Sequence, residues 1–324
     1  MFRRLGFSFA AIMAGTSLAA AAPPSATVAA GRTQRTPAPG PAMPAASSAA
    51  NVALPAAQRT AARARLANIA HRGASAYAPE NTLPALRAAR SQRADVVEVD
   101  VQQTKDRKLI LMHDTTLART TNVESVFPRR KPYRVSSFTL KEIRRLDAGS
   151  WFGKKYKRTR VPTLSESLRA MGGSGVGMLI EIKRPGGYPG IERRVAAELR
   201  RHPSWLRRDP AERRLAVQSF DWNSMRRFHK AMPRVPIGLL GKPATSRLRG
   251  LAKFADQINP PQRGLTAAYV KRVHKLKMDV LTWTVNDKAR MRRAIRLGVD
   301  GIFTNKPKVL ESVRKERRSR QAAG

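Results

Sequence analysis

From about residue 61 the chain alternates between two hydrophobic periods. Short runs rich in Val, Ile and Leu occupy residues 68–71, 96–101, 109–113, 177–183, 215–220, 237–240, 255–259, 280–285 and 301–304. Longer stretches with an apolar residue at every third or fourth position lie between them, at 163–171, 190–201, 222–231, 266–276 and 287–297. Leu83, Leu86 and Ala89 begin another, behind Pro79-Glu80-Asn81-Thr82. The short runs predict buried strands and the longer stretches amphipathic helices. Their alternation predicts a parallel sheet wrapped by helices, and at this length a closed TIM-type (β/α)8 barrel. Nine strand candidates are one more than that barrel needs. Residues 105–107 are too few to carry a helix between the second and third candidates. One member of that neighbourhood, or the weak 255–259 run, is therefore expected outside the regular repeat.

The ends and one internal segment break the alternation. Residues 1–22 show a basic start, an apolar run and small residues at the end, the pattern of a secretory signal peptide. The run is short for a membrane span and is diluted by Gly15, Thr16 and Ser17, so cleavage and export are expected. Residues 23–60 are rich in Ala, Pro, Ser and Thr and are expected to be a disordered linker. That leaves 61–310 for the barrel. Within it, the polar and basic stretch 114–160 reads as an insertion after the third strand region, leaning over the barrel mouth. Residues 311–324 read as a basic, solvated tail.

Composition changes the view of partners. Lys and Arg number 63 against 22 Asp and Glu, a net charge of +41. A surface of that sign attracts polyanions through its long-range field. Nucleic acid, anionic lipid and phosphate-rich envelope polymers are all candidates. Aromatics make up only 6% and do not alternate with basic runs, so a specific nucleic-acid platform is not expected. With no cysteine, disulfides and thiolate metal sites are excluded.

The candidate chemistry sits at strand ends. Glu98 and Asp100 are two apart in an otherwise apolar strand, so both carboxylates point the same way. Glu181 interrupts a second such strand. Three acids inside the most apolar runs, out of only 22 in the chain, disfavour unrelated surface carboxylates. A divalent cation removes the cost of burying such acids, and hard oxygen ligands select Ca²⁺ or Mg²⁺. His71 and His113 end two strands; His202, His229 and His274 lie in helical patterns and read as structural or surface residues. Arg72 and Lys183 place cations at the same strand ends, and Phe220 and Trp283 close two later strands.

His71-Arg72-Gly73 with Pro79-Glu80-Asn81-Thr82, Val97-Glu98-Val99-Asp100-Val101 and Leu111-Met112-His113-Asp114, in this order, resemble the glycerophosphodiester phosphodiesterase family. The resemblance runs on to Gly301-Ile302-Phe303-Thr304-Asn305, where the family has Asp or Asn after the Thr. Ala76 and Arg107 stand where the family often has Gly. The resemblance implies a barrel, a metal held by Glu98, Asp100 and Glu181, and release of an alcohol and glycerol 3-phosphate from a glycerophosphodiester. It implies that His71 and His113 share the proton transfers, with neither assigned as acid or base. It implies a phosphate-stabilising role for Arg72 and Lys183. Phe220 and Trp283 could wall the glycerol or alcohol moiety, with core packing as the competing reading. Two alternatives remain open: the same barrel acting on a glycerol-phosphate polymer such as teichoic acid or on phospholipid, and a non-catalytic basic module that binds polyanions.

Overall fold

The computed structural model describes residues 66–207 and 214–322. The signal peptide and the linker read from the sequence, and residues 61–65 at the expected start of the barrel, lie outside these residues. Among the described residues nine strands are formed: β1 (Ala67–Ala70), β2 (Val96–Gln103), β3 (Leu109–Leu111), β4 (Gly177–Ile182), β5 (Leu215–Ser219), β6 (Ile237–Leu240), β7 (Gln257–Asn259), β8 (Asp279–Thr282) and β9 (Gly301–Thr304). Eight are parallel neighbours in the order β1-β9-β8-β7-β6-β5-β4-β2, and pairing of β1 with β2 closes the ring. Helices follow the strands, among them Leu83–Ser91, Leu164–Met171, Ile191–Arg200, Trp222–Ala231, Ala267–His274 and Lys288–Arg296.

The surplus strand is β3. It runs antiparallel to β2, with Val101 opposite Leu111. Only a tight turn separates the two: Thr104 N–H donates to the Lys108 carbonyl, and Arg107 adopts φ +60°. A loop that short permits a hairpin and not a parallel crossover. The left-handed backbone at 107 is a conformation that Gly adopts without strain. The weak run near 257 is a barrel strand after all, short but fully buried.

Side-chain parity sorts each strand into two faces. Val97, Val99 and Val101 of β2 point outward into the main core under the helices. The inward face begins, at the strands' amino ends, with an apolar layer of Ala67, Ile69, Val96, Leu179, Ala216, Leu281 and Phe303. Two residues further along, the inward positions of neighbouring strands become polar: Glu98 and Asp100 on β2, Glu181 on β4, Gln218 on β5 and Asn259 on β7, all buried. The apolar plug thus floors a polar cup that opens at the carboxyl ends of the strands.

The insertion is more than a polar cover. Leu117, Val123, Val135, Phe138, Ile143 and Leu146 form a separate buried cluster with Ile110 and Met112 of the β3 edge. Its apolar residues are irregularly spaced among charges, so no period announced this core. The C-terminal residues also do more than the sequence suggested. The helix Pro307–Ala322 continues past residue 310, Val313 is buried, and Arg314 is buried and donates to Asp95 at 2.6 Å.

Candidate active site

The strand β1 stops at His-Arg-Gly because the chain must turn sharply there. Arg72 has φ +56° and Gly73 φ +81°. A Cβ at Gly73 would lie 2.7 Å from the Ala85 backbone, so the helix Leu83–Ser91 packs directly on this turn. Thr82 caps that helix and Pro84 occupies its first turn. The left-handed turn directs the Arg72 amide inward, where it donates to Glu98 Oε2 at 2.8 Å.

β2 and β4 pair with Asp100 opposite Glu181. Glu98, Asp100 and Glu181 each offer a ligand oxygen within 4.8 Å of the other two. Cations and amides surround them. Lys183 Nζ lies 2.7 Å from Glu181 and 3.6 Å from Asp100. Arg72 Nε sits 3.3 Å from Asp100, a contact of charge rather than a directed hydrogen bond. Asn81 grips Asp100 twice, donating to its carboxylate at 2.8 Å and accepting from its amide at 3.0 Å.

The three acids do not share this compensation equally. Burial, with the neighbouring Asp100 and Glu181 charges, pushes the Glu98 carboxyl well above the usual range. Burial and the Asp100 charge push Glu181 up to about 8 despite its Lys183 partner. Burial also opposes ionisation of Asp100, but Lys183, Arg72, His113 and the Asn81 hydrogen bond outweigh it and hold that carboxyl low. Among the described residues this is the cluster of carboxylates spaced to share an ion. A trio of hard oxygen donors with surplus negative charge fits a divalent cation, which would replace the protons that Glu98 and Glu181 otherwise retain.

The two imidazoles are held differently. His71 Nδ1 pairs with Asn305 Oδ1 at 2.7 Å, and Asn286 Oδ1 accepts from the Asn305 amide at 2.8 Å. Burial and the adjacent Arg72 charge lower the His71 pKa to about 4. His113 Nδ1 instead meets a carboxylate, Asp114 Oδ1, at 2.6 Å. Gln102 Nε2 donates to the carbonyls of Met112, His113 and Asp114 and so fixes this segment. Both imidazoles lie within the electrostatic reach of Asp100.

Phe220 is exposed and meets Trp283 edge-to-face, ring centres 5.7 Å apart, with Lys183 Nζ 5.9 Å from the Phe220 ring. Phe220 is thus not core packing, whereas Trp283 is partly buried, packs against the inner apolar layer and donates Nε1–H to the Asn259 carbonyl at 2.7 Å. The three other histidines are remote from this arrangement: His202 contacts Ser165 and Glu198, His274 contacts Asp300, and His229 stacks near Phe254. Asp114, Asn305 and Arg119 are functional candidates that the sequence reading passed over. The first two stand inside motifs and could have been found there. Arg119 carries no signal among 63 basic residues.

A barrel that keeps transferable protons and fixed positive charge beside a cation-ready acid cluster is, by class, an enzyme for phosphate esters. Comparison with known proteins makes that class particular. The model of the glycerophosphoryl diester phosphodiesterase family matches residues 71–309, and the chain belongs to that family. A glycerophosphodiester phosphodiesterase of Caldanaerobacter subterraneus is 37% identical over 247 residues, covering 75% of this chain and 95% of that one. One from Bacillus subtilis is 34% identical over 265 residues, covering 78% and 87%. Among solved structures, a phosphodiesterase of Oleispira antarctica in complex with the product sn-glycerol-3-phosphate matches with TM-score 0.65 and 28% identity, over 76% of this chain and 95% of that one. The chain is accordingly an enzyme, a phosphoric diester hydrolase on a TIM barrel.

Proposed function

We propose that this enzyme cleaves glycerophosphodiesters to an alcohol and glycerol 3-phosphate by His71/His113 acid–base catalysis beside a divalent cation, Ca²⁺ or Mg²⁺, held by Glu98, Asp100 and Glu181. The observation that carries the reading is the convergence of those three buried acids within 4.8 Å, with both imidazoles in electrostatic reach of Asp100. The bound cation would supply charge stabilisation for the phosphate oxygens. Arg72 and Lys183 add fixed positive charge there. With Asn305 Oδ1 as acceptor, His71 carries its proton on Nδ1 and presents the Nε2 lone pair. Being neutral at ordinary pH, it serves as the base that takes the nucleophile's proton. The carboxylate of Asp114 holds His113 through Nδ1 and so orients the ring, and His113 protonates the departing alkoxide. Phe220 and Trp283 offer an apolar wall to the carbon skeleton.

The charge surplus supports a second substrate range, glycerol-phosphate polymers or phospholipid at a surface. Lys154, Lys155, Lys157, Arg158 and Arg160 are exposed on the insertion, and Tyr156 of the same loop donates to the carbonyl of Tyr77 in the β1 loop. One experiment tests both readings: a panel of glycerophosphodiesters plus a glycerol-phosphate polymer, each with and without chelator, in low and high salt. Small diesters are expected to turn over only with added Ca²⁺ or Mg²⁺ and to respond little to salt. Polymer cleavage should weaken steeply with salt. Chelator-insensitive turnover would remove the metal role; binding without any hydrolysis would leave a polyanion-binding module.

Export is part of the same proposal, resting on the signal-peptide pattern of residues 1–22. The secreted chain should have the mass of a protein cut near residue 22. Recovery of full-length protein in the cytoplasm alone would contradict it.

A further inference from the structure

The insertion presents one side chain that joins the two halves of the site, and nothing in the motifs or in the reading above gives it a task. Arg119 donates to both carboxylate oxygens of Asp114, Nε to Oδ2 at 2.5 Å and Nη2 to Oδ1 at 3.1 Å. The same guanidinium donates to both oxygens of Glu80, Nη1 to Oε2 at 3.0 Å and Nη2 to Oε1 at 2.7 Å. Each carboxylate has a second duty. Asp114 Oδ1 faces His113 Nδ1 at 2.6 Å, and Glu80 Oε1 accepts from Arg72 Nη1 at 2.9 Å. An alternating chain of charge therefore runs His113–Asp114–Arg119–Glu80–Arg72–Asp100, from one imidazole to an acid of the cation-ready trio.

We infer that Arg119 is a positioning residue that locks the His113 imidazole and the Arg72 guanidinium into one mutual geometry. Resting on the acid–base reading above, this gives the insertion a function: it completes the catalytic mouth. Three observations support it. Arg119 is itself 44% exposed, yet both carboxylates it grips are less exposed and each goes on to hold a site residue, Asp114 the His113 ring and Glu80 the Arg72 guanidinium. The planar fork is the one side chain able to grip two carboxylates in this way; an ammonium cannot. Its base is rigid, since neighbouring Leu117, Thr120 and Thr121 are buried, and the Leu117 amide donates to Tyr133 within the insertion. The guanidinium also holds Asp114 ionised, its carboxyl lowered to about 2 first by the Arg119 hydrogen bond.

The test compares Arg119→Ala, Arg119→Lys and Asp114→Asn with the parent and with His113→Ala. Arg119→Ala should lose about 10- to 100-fold in kcat, the scale for removing a group that orients a site residue. Its cation affinity, read by calorimetry, should be unchanged, because Arg119 touches none of the three acids. Arg119→Lys should recover little of the loss, whereas added guanidinium ion should restore part of it in Arg119→Ala. The double variant Arg119→Ala/Asp114→Asn should lose no more than the worse single variant, because the two act as one unit. Parent-like kcat in Arg119→Ala, with His113→Ala inactive, overturns the inference and leaves the acid–base reading standing. An active His113→Ala overturns that reading instead. A loss in Arg119→Ala matched by a collapse of thermal stability, repaired by Lys and not by guanidinium, assigns Arg119 a structural role and also overturns the inference.

Discussion

Glu181→Gln is expected to abolish cation binding and to lower turnover about a thousandfold. A bound cation contributes several kcal/mol of transition-state stabilisation, and each 1.36 kcal/mol is tenfold in rate. The substitution keeps size and shape and removes only the charge. Its effect on the metal-free protein runs the other way. Glu181 is held up to about 8 by burial and the Asp100 charge, against an ordinary value of 4.5. The folded chain therefore keeps a proton that the unfolded chain has already lost between those values. Metal-free stability from this group is complete below pH 4.5 and is lost as pH rises through 8. The permanently neutral Gln escapes that loss, so metal-free Glu181→Gln should match the parent below pH 4.5, gain on it steadily as pH rises to 8, and keep that lead at pH 9. Added Ca²⁺ or Mg²⁺ should raise the melting temperature of the parent and not of the variant. An equal metal-induced rise in both would show that Glu181 is no ligand.

His71→Ala should cost about 10²- to 10⁴-fold in kcat/KM, the range for loss of a positioned base. His113→Ala should cost a similar amount on ordinary alcohol leaving groups but far less on a nitrophenyl ester, whose phenolate departs without a proton. His71→Ala should gain no such relief. Equal relief in both variants would overturn the assignment of base and acid. His71 also leaves a stability signature. Its pKa falls from 6.5 to about 4 on folding, through burial and then the Arg72 charge. Between those values the unfolded chain binds a proton that the folded chain refuses. Stability is thus fully present above pH 6.5 and falls as pH drops towards 4, by about 3 kcal/mol at 1.36 kcal/mol per unit. Denaturant midpoints for the parent and His71→Gln should diverge across that window, and parallel curves would show that the imbalance is absent.

Much of the site could be read before any coordinates, because parity along a strand is a local property. Glu98 and Asp100, two apart, had to share a face, as did Glu181 and Lys183. His71 and His113 could be placed at strand ends because the apolar runs stop there. The strand count could also be read, but not which strand was surplus. Residues 109–111 and 257–259 are both short and apolar, and only pairing partners tell a hairpin edge from a barrel stave. The core of the insertion was hidden for a related reason: Leu117, Phe138 and Ile143 meet through turns, not through a repeat.

The linear chain by itself determined the architecture, the acids that point together within each strand, and the family. Those depend on hydrophobic period and on neighbours one or two residues away. Tertiary structure alone decided which strands became neighbours, and so brought Asp100 opposite Glu181. It also gave His71 an amide partner and His113 a carboxylate, and set Arg119 between Glu80 and Asp114. These contacts join residues up to 234 positions apart. Their charge balance depends on burial and on groups from separate loops, and neither property is encoded by spacing along a chain.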